Sequence, residues 1–97
     1  MIDRISITNE PPKPILVVGS VGLDDIITPY MKGERILGGS ASYASLAASY
    51  YAPVQMVGVV GNDFNDALVH RLERRGIDLE GLKRDQSGPT FYWKGEY

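Results

Sequence analysis

Two adjacent carboxylates, Asp24 and Asp25, follow an apolar run that ends at Gly19. Just beyond the carboxyl end of a strand is where open α/β sheets bind ligands. A carboxylate there can accept hydrogen bonds from two sugar hydroxyls. The same pair also suits an exposed turn. Gly38-Gly39-Ser40 is a second candidate. Glycines let a ligand approach the backbone, and the first amides of a helix are free to donate. A tight turn would use the same residues. Phe91, Tyr92 and Trp93 could form an apolar lid over a ligand, a partner surface, or part of a core.

Other motifs read more plainly. Gly19-Ser20-Val21-Gly22 and Gly58-Val59-Val60-Gly61 each close a strand-like run, but neither has the spacing of a dinucleotide or Walker A phosphate loop. Asp63 stands where an anion would sit at the next helix start, so that turn reads as a cap. His70 is the sole histidine and has no evident metal-ligating partners. Arg74-Arg75 and Lys83-Arg84 read as solvated charge. No metal site is expected.

These residues need a frame. Ile15-Leu16-Val17-Val18 and Val54 to Val60 are apolar without alternation, the pattern of parallel strands buried on both faces. Between them, Ser40 to Ala52 reads as a helix with Ser40 as its cap and Pro53 as its stop. Strand, helix and strand make a βαβ unit. A second helix is expected from about Asp63 to Arg75, capped by Asp63 and closed by Gly76. Phe64, Ala67, Leu68 and Leu72 would form its apolar stripe. Residues 23–38 are too long for an ordinary βα loop and read as an inserted hairpin turning at Lys32-Gly33. Thr90 to Tyr97, after the Gly88-Pro89 turn, reads as a strand with Phe91 and Trp93 on one face. These extra strands are expected to pair into a small second sheet. Pro11, Pro12 and Pro14 mark residues 1–13 as an arm.

Composition narrows the function classes. The chain has 97 residues, enough for one small domain, with 43% hydrophobic and 23% charged residues. A formal net charge of −2 gives no support to nucleic-acid binding. No apolar run is long enough to span a bilayer, and the N-terminus lacks the apolar region of a signal peptide. No membrane partner is expected, and the expected location is cytoplasmic. Without cysteine, disulfides and thiolate metal sites are excluded.

Taken in order, ILVVGSVGLDDI, GGSASYASLAA, VGVVGNDF, RGIDLEGL and TFYWKGEY resemble the ribokinase (pfkB) family of carbohydrate kinases. The resemblance covers residues 14–97 and about the first third of a family domain. It implies an α/β, ribokinase-like (Rossmann-like) three-layer core, here partial, with an inserted β-sheet lid. Residues 23–38 and 90–97 would be lid strands within a single domain. It implies a parent enzyme that uses ATP and Mg2+ to phosphorylate a hydroxyl of a sugar or nucleoside-like substrate. Asp24 would bind substrate hydroxyls, and Gly38 and Gly39 would form the di-glycine turn beside the substrate. Tyr43 and Phe91 would complete the contacts.

Two departures bear on specificity. Tyr43 stands where the family carries an asparagine, and Gly22 where ribokinase-like members often carry another. Both weigh against ribose-type recognition and favour a larger or flatter substrate. The glycine frequent in the family after Asp63 is missing, a change expected to be tolerable. The family's catalytic Gly-x-Gly-Asp segment, anion hole and nucleotide pocket do not occur in the sequence. The 97-residue chain is therefore expected to be an N-terminal fragment that is inactive alone and binds no cofactor. No residue in it is assigned a catalytic role. The bare sheet of such a fragment is expected to drive self-association, giving a homo-oligomer through the lid strands. The alternatives are a non-catalytic sugar-binding module and a β-edge interaction module.

Overall fold

The computed structural model describes residues 12–97. The arm expected over residues 1–13 lies outside the described residues, except for Pro12 and Lys13.

The chain runs β1 (Ile15–Val18), β2 (Gly22–Ile27), β3 (Lys32–Gly38), α1 (Ser40–Ala48), β4 (Val54–Val60), α2 (Asp66–Glu73), β5 (Ile77–Asp78), β6 (Leu82–Arg84) and β7 (Phe91–Glu96). It builds two sheets. In the first, β4 pairs in parallel with β1, placing Ile15 beside Val54 and Val18 beside Val57. β4 also pairs in parallel with β5 at its start and with β6 at its end. The second sheet has the order β3-β2-β7. β2 and β3 form the expected hairpin, and β7 joins β2 in parallel.

The first sheet has one covered face and one open face. Val54, Met56 and Val60 alternate on the covered face and are buried against Ala41, Phe64, Leu72 and Ile77, with Val17 and Leu46 packed around them. Burying a side chain such as Phe64, Met56 or Leu72 contributes about 1.5–3 kcal/mol each. The opposite face carries Leu16, Val18 and Val59, which are 60%, 69% and 59% exposed. The apolar run Ile15–Val18 was expected to be buried on both faces; in the described residues, helices cover only one. Among those residues β1 has a partner on one edge only.

Several local expectations are corrected. The hairpin turns at Thr28–Met31, not at Lys32-Gly33, which lie within β3. The Thr28 hydroxyl accepts hydrogen bonds from the N–H groups of Tyr30 and Met31, which fixes the turn one step earlier. α1 stops at Ala48, short of Ala52, and frays through Tyr50 and Tyr51 before Pro53. Its cap residue is Gly39, and Ser40 is already helical. α2 begins at Asp66, because Asn65 accepts from the Leu68 N–H at 3.0 Å and takes the capping role expected of Asp63. Phe64 and Leu72 are buried as the stripe predicts, while Ala67 is exposed. Gly76 has φ +77, the left-handed geometry expected after a helix.

Candidate functional site

The second sheet has two unlike faces, because side chains alternate along each strand. Leu23 and Leu37 point inward and join the buried core. Asp25, Arg35 and Tyr92 continue that side as a polar cluster. Asp24, Phe91 and Trp93 lie on the other side, where the register sets Asp24 beside Trp93 and Gly22 beside Phe91. Glycines leave room on this side. A Cβ on Gly38 would collide with the Asp24 carboxylate, and one on Gly95 would collide with the Trp93 ring. Trp93 and Tyr97 have ring centroids 6.4 Å apart, flanking Gly95. The Phe91 ring lies against Gly22, where a Cβ would come within 2.9 Å of it. That contact is a physical reason for glycine at this departure from the family pattern: an asparagine would displace Phe91.

The paired aspartates separate into two roles. Asp25 is tied into the structure. Its Oδ1 accepts from the Arg35 N–H at 2.7 Å and its Oδ2 from the Tyr92 hydroxyl at 2.6 Å. Those hydrogen bonds, Tyr92 first and then the Arg35 backbone, hold its carboxyl below the usual range. The same contact pushes the Tyr92 phenol up. Asp24 is half-buried and finds no hydrogen-bond partner among the described residues. Its carboxylate lies over the Gly38 backbone with acceptor capacity unused.

The di-glycine turn is built differently from expectation. Gly39 has φ +92 and ψ 149, and a Cβ there would land on the Ser20 carbonyl. The helix-start amides beside it are not free. The Ser40 N–H donates to Ser20 Oγ at 3.1 Å, and the Ala41 N–H donates to the Ser20 carbonyl at 2.9 Å. Ser20 therefore welds the end of β1 to the start of α1. Sequence reading missed this role, although the Gly19–Gly22 turn that holds Ser20 was its only visible signal. Tyr43 is 54% exposed on α1, and its hydroxyl reaches back to the Leu37 carbonyl at 3.4 Å.

A groove of about 440 Å³ opens at the carboxyl ends of β1 and β4. Gly19, Ser20, Val21, Gly58 and Phe91 help line it. Of the residues expected to contact substrate, Phe91 borders this groove directly. Asp24, Gly38, Gly39 and Tyr43 are not part of its lining: Asp24 meets Gly38, Gly39 meets Ser20, and the Tyr43 hydroxyl reaches the Leu37 carbonyl. A larger cavity of about 650 Å³ lies between α2 and the β5–β6 edge, away from all of these residues.

A second cluster fastens the sheets together, also missed from sequence. The Gly61 N–H donates to Thr90 Oγ1 at 2.9 Å, and the Thr90 N–H donates to Asp63 Oδ1 at 2.7 Å. Hydrogen bonding from Thr90, side chain first and then backbone, holds the Asp63 carboxyl below the usual range. The other Asp63 oxygen meets the Arg35 guanidinium at 3.2 Å, and that guanidinium lies 5.2 Å from the Tyr92 ring centre. Asp63 thus serves the inter-sheet junction.

The described residues contain no group of three carboxylate or imidazole side chains able to hold a metal ion. The Gly61 and Asn62 N–H groups are taken by Thr90 and Gly88, as those of Ser40 and Ala41 are by Ser20.

Comparison with solved structures then decides the fold. A structure described as ribokinase II from E. coli, in complex with ATP and Mg2+, superposes with TM-score 0.72 and 21% identity over 89% of this chain. The fold is ribokinase-like. A Burkholderia thailandensis nucleoside kinase in complex with inosine matches with TM-score 0.65 and 18% identity over 80% of the chain. A Cryptococcus neoformans ribokinase in complex with ADP matches with TM-score 0.62 and 24% identity over 81%. The ribokinase-like chain spans only 31%, 29% and 29% of these proteins. No family model matches the sequence, and no curated protein matches it. Among the described residues, no helix is long and apolar enough to cross a membrane.

Proposed function

We propose that this chain is the substrate-side portion of an ATP-dependent kinase acting on a hydroxyl of a sugar or nucleoside-like compound. The observation that carries the reading is Asp24. Its neighbour is consumed by two short hydrogen bonds, whereas the Asp24 carboxylate is unpartnered among the described residues and lies over a glycine beside exposed aromatic rings. A carboxylate next to an aromatic surface can accept from two hydroxyls while the sugar ring packs on the apolar side chains. In this reading Asp24, the Gly38-Gly39 turn and Tyr43 orient the substrate. Phe91 and Trp93, on a lid formed by β2, β3 and β7, exclude water from it. The phosphoryl donor ATP, its Mg2+ and the catalytic base would come from the remainder of a kinase domain, so the 97-residue chain alone transfers no phosphoryl group.

The second reading is an interaction module. It is favoured by one observation: among the described residues, β3 and β7 each leave an outer edge of the second sheet unpaired. Such edges can pair between copies.

One titration separates the two. Backbone amide resonances of the full chain are followed while a panel of sugars and nucleosides is added, with the oligomeric state read by light scattering on the same samples. The kinase reading expects saturable shifts around Asp24, Gly38 and Phe91, weakened about tenfold or more in Asp24→Asn, since hydrogen bonds to a charged group contribute roughly 1.5–3 kcal/mol. No binding by any member, or binding indifferent to Asp24→Asn, defeats it. A dimer insensitive to ligand would then leave the edge-pairing reading standing.

A further inference from the structure

The end of the molecule opposite the substrate patch carries a second feature. α1 and α2 both finish there, leading into the starts of β4 and β5. Between them lies a groove of about 310 Å³ lined by Leu46 of α1 and Tyr50 just after it, and by Arg71 of α2 with Arg74 and Arg75 at and beyond its C-cap. Arg71 lies in the last turn of α2, Arg74 is its C-cap and Arg75 follows it, and all three line this groove. None of the three makes a salt bridge among the described residues. The Arg75 guanidinium is stacked on the Tyr50 ring at 4.0 Å. Stacking leaves its N–H edge free and holds it in place.

The ordinary explanation for basic residues at a helix end is that they satisfy terminal carbonyls and offset the helix dipole. Here the last four carbonyls of α1 and three of the last four of α2 are already bonded. In α1, the Ser45, Ala47 and Ala48 carbonyls accept from Ser49, Tyr50 and Tyr51, and the Leu46 carbonyl accepts from the Ser49 hydroxyl. In α2, the carbonyls of His70, Leu72 and Glu73 accept from Arg74, Arg75 and Gly76. Three exposed arginines line an open groove, and among the described residues no carboxylate forms a salt bridge with any of them.

We propose that this groove is a binding site for a small multivalent phosphate, with Arg71, Arg74 and Arg75 as its ligands. Guanidinium forks match phosphate oxygens in bidentate geometry, and several of them around one groove favour an anion with several phosphates. The size of the groove and the overall charge of −2 select a compact anion over a long polyanion, which would be repelled outside this patch. The site is separate from the patch around Asp24 and does not depend on the kinase reading.

The test uses the full chain at low ionic strength, titrated with inorganic tripolyphosphate and followed by backbone and arginine side-chain resonances. Saturable 1:1 shifts are expected at Leu46, Tyr50, Arg71, Arg74 and Arg75. Arg71→Gln and Arg74→Gln should each weaken binding about tenfold. Arg71→Lys should also weaken it, because charge without the fork loses the bidentate contact. Lys94→Gln, on the far sheet, should leave it unchanged. Thermal unfolding of each variant confirms that the fold is intact. Failure to saturate, loss equal in Lys94→Gln and Arg71→Gln, or shifts confined to other residues would overturn the site. Citrate binding as tightly as tripolyphosphate would overturn the assignment to phosphate.

Discussion

Replacing Gly39 with alanine tests the weld between β1 and α1. At φ +92 and ψ 149 the residue occupies a region that only glycine enters freely, and forcing an L-residue there costs about 1–3 kcal/mol. The new Cβ would also lie 2.7 Å from the Ser20 carbonyl carbon and 2.9 Å from Val21 Cα. Those atoms are backbone and cannot rotate aside, so the start of α1 must shift, at about 1–3 kcal/mol for an overpacked contact. The shift would also loosen the Ser40 and Ala41 hydrogen bonds to Ser20. The sum is about 2–6 kcal/mol. A domain of this size has roughly 5–15 kcal/mol in total, and 1 kcal/mol moves Tm by about 4–8 °C. Gly39→Ala should therefore lower Tm by about 8 °C or more. Two controls share the chemistry without the contact. Gly76 has φ +77 but nothing within 4 Å of a built Cβ, so Gly76→Ala should cost only the backbone term of about 1–2 kcal/mol. Gly88 has open space and no positive φ, so Gly88→Ala should be neutral or stabilise by up to about 1 kcal/mol. Thermal and urea unfolding of the three variants gives the ranking. If Gly39→Ala loses no more than Gly76→Ala, the close approach of Ser20 to Gly39 is wrong, and with it the account of why the di-glycine turn is there.

Two further outcomes follow from the inter-sheet junction. Thr90 is 3% exposed and its hydroxyl receives the Gly61 N–H, so Thr90→Val should cost about 1–3 kcal/mol in urea unfolding by stranding that donor, whereas Thr90→Ser should recover most of it. Asp25 and Asp63 both titrate below the ordinary aspartate value of about 3.9, so their hydrogen bonds stabilise the fold above that pH and the contribution fades as pH falls toward the lowered folded values. Urea midpoints measured from pH 6 down to pH 3 should drop at the acid end, and Asp25→Asn should be less stable at pH 6 with a shallower acid slope; an unchanged slope would show that Asp25 is not coupled to folding.

The sequence by itself determined the local elements. Continuous apolar runs at Ile15–Val18 and Val54–Val60 gave β1 and β4, and the excess length of residues 23–38 gave the hairpin, because hydrophobic spacing and loop length are properties of the chain alone. It also selected Asp24 and the Gly38-Gly39 turn as candidates, through their place after a strand and before a helix. It could not divide the aspartate pair. Asp25 is the structural partner only because Tyr92, far along the chain, arrives on β7 and Arg35 turns back from β3. The caps moved for the same reason. Asp63 looks like an N-cap locally, but Thr90 and Arg35 bind its carboxylate and Asn65 takes its place. Ser40 looks like a cap, but Gly39 and Ser20 do that work across a 20-residue separation. Local propensity weighs one residue against its near neighbours. Hydrogen-bond competition among distant groups is settled only when the two sheets meet, just as only the folded chain sets Tyr50 beside three arginines around one groove.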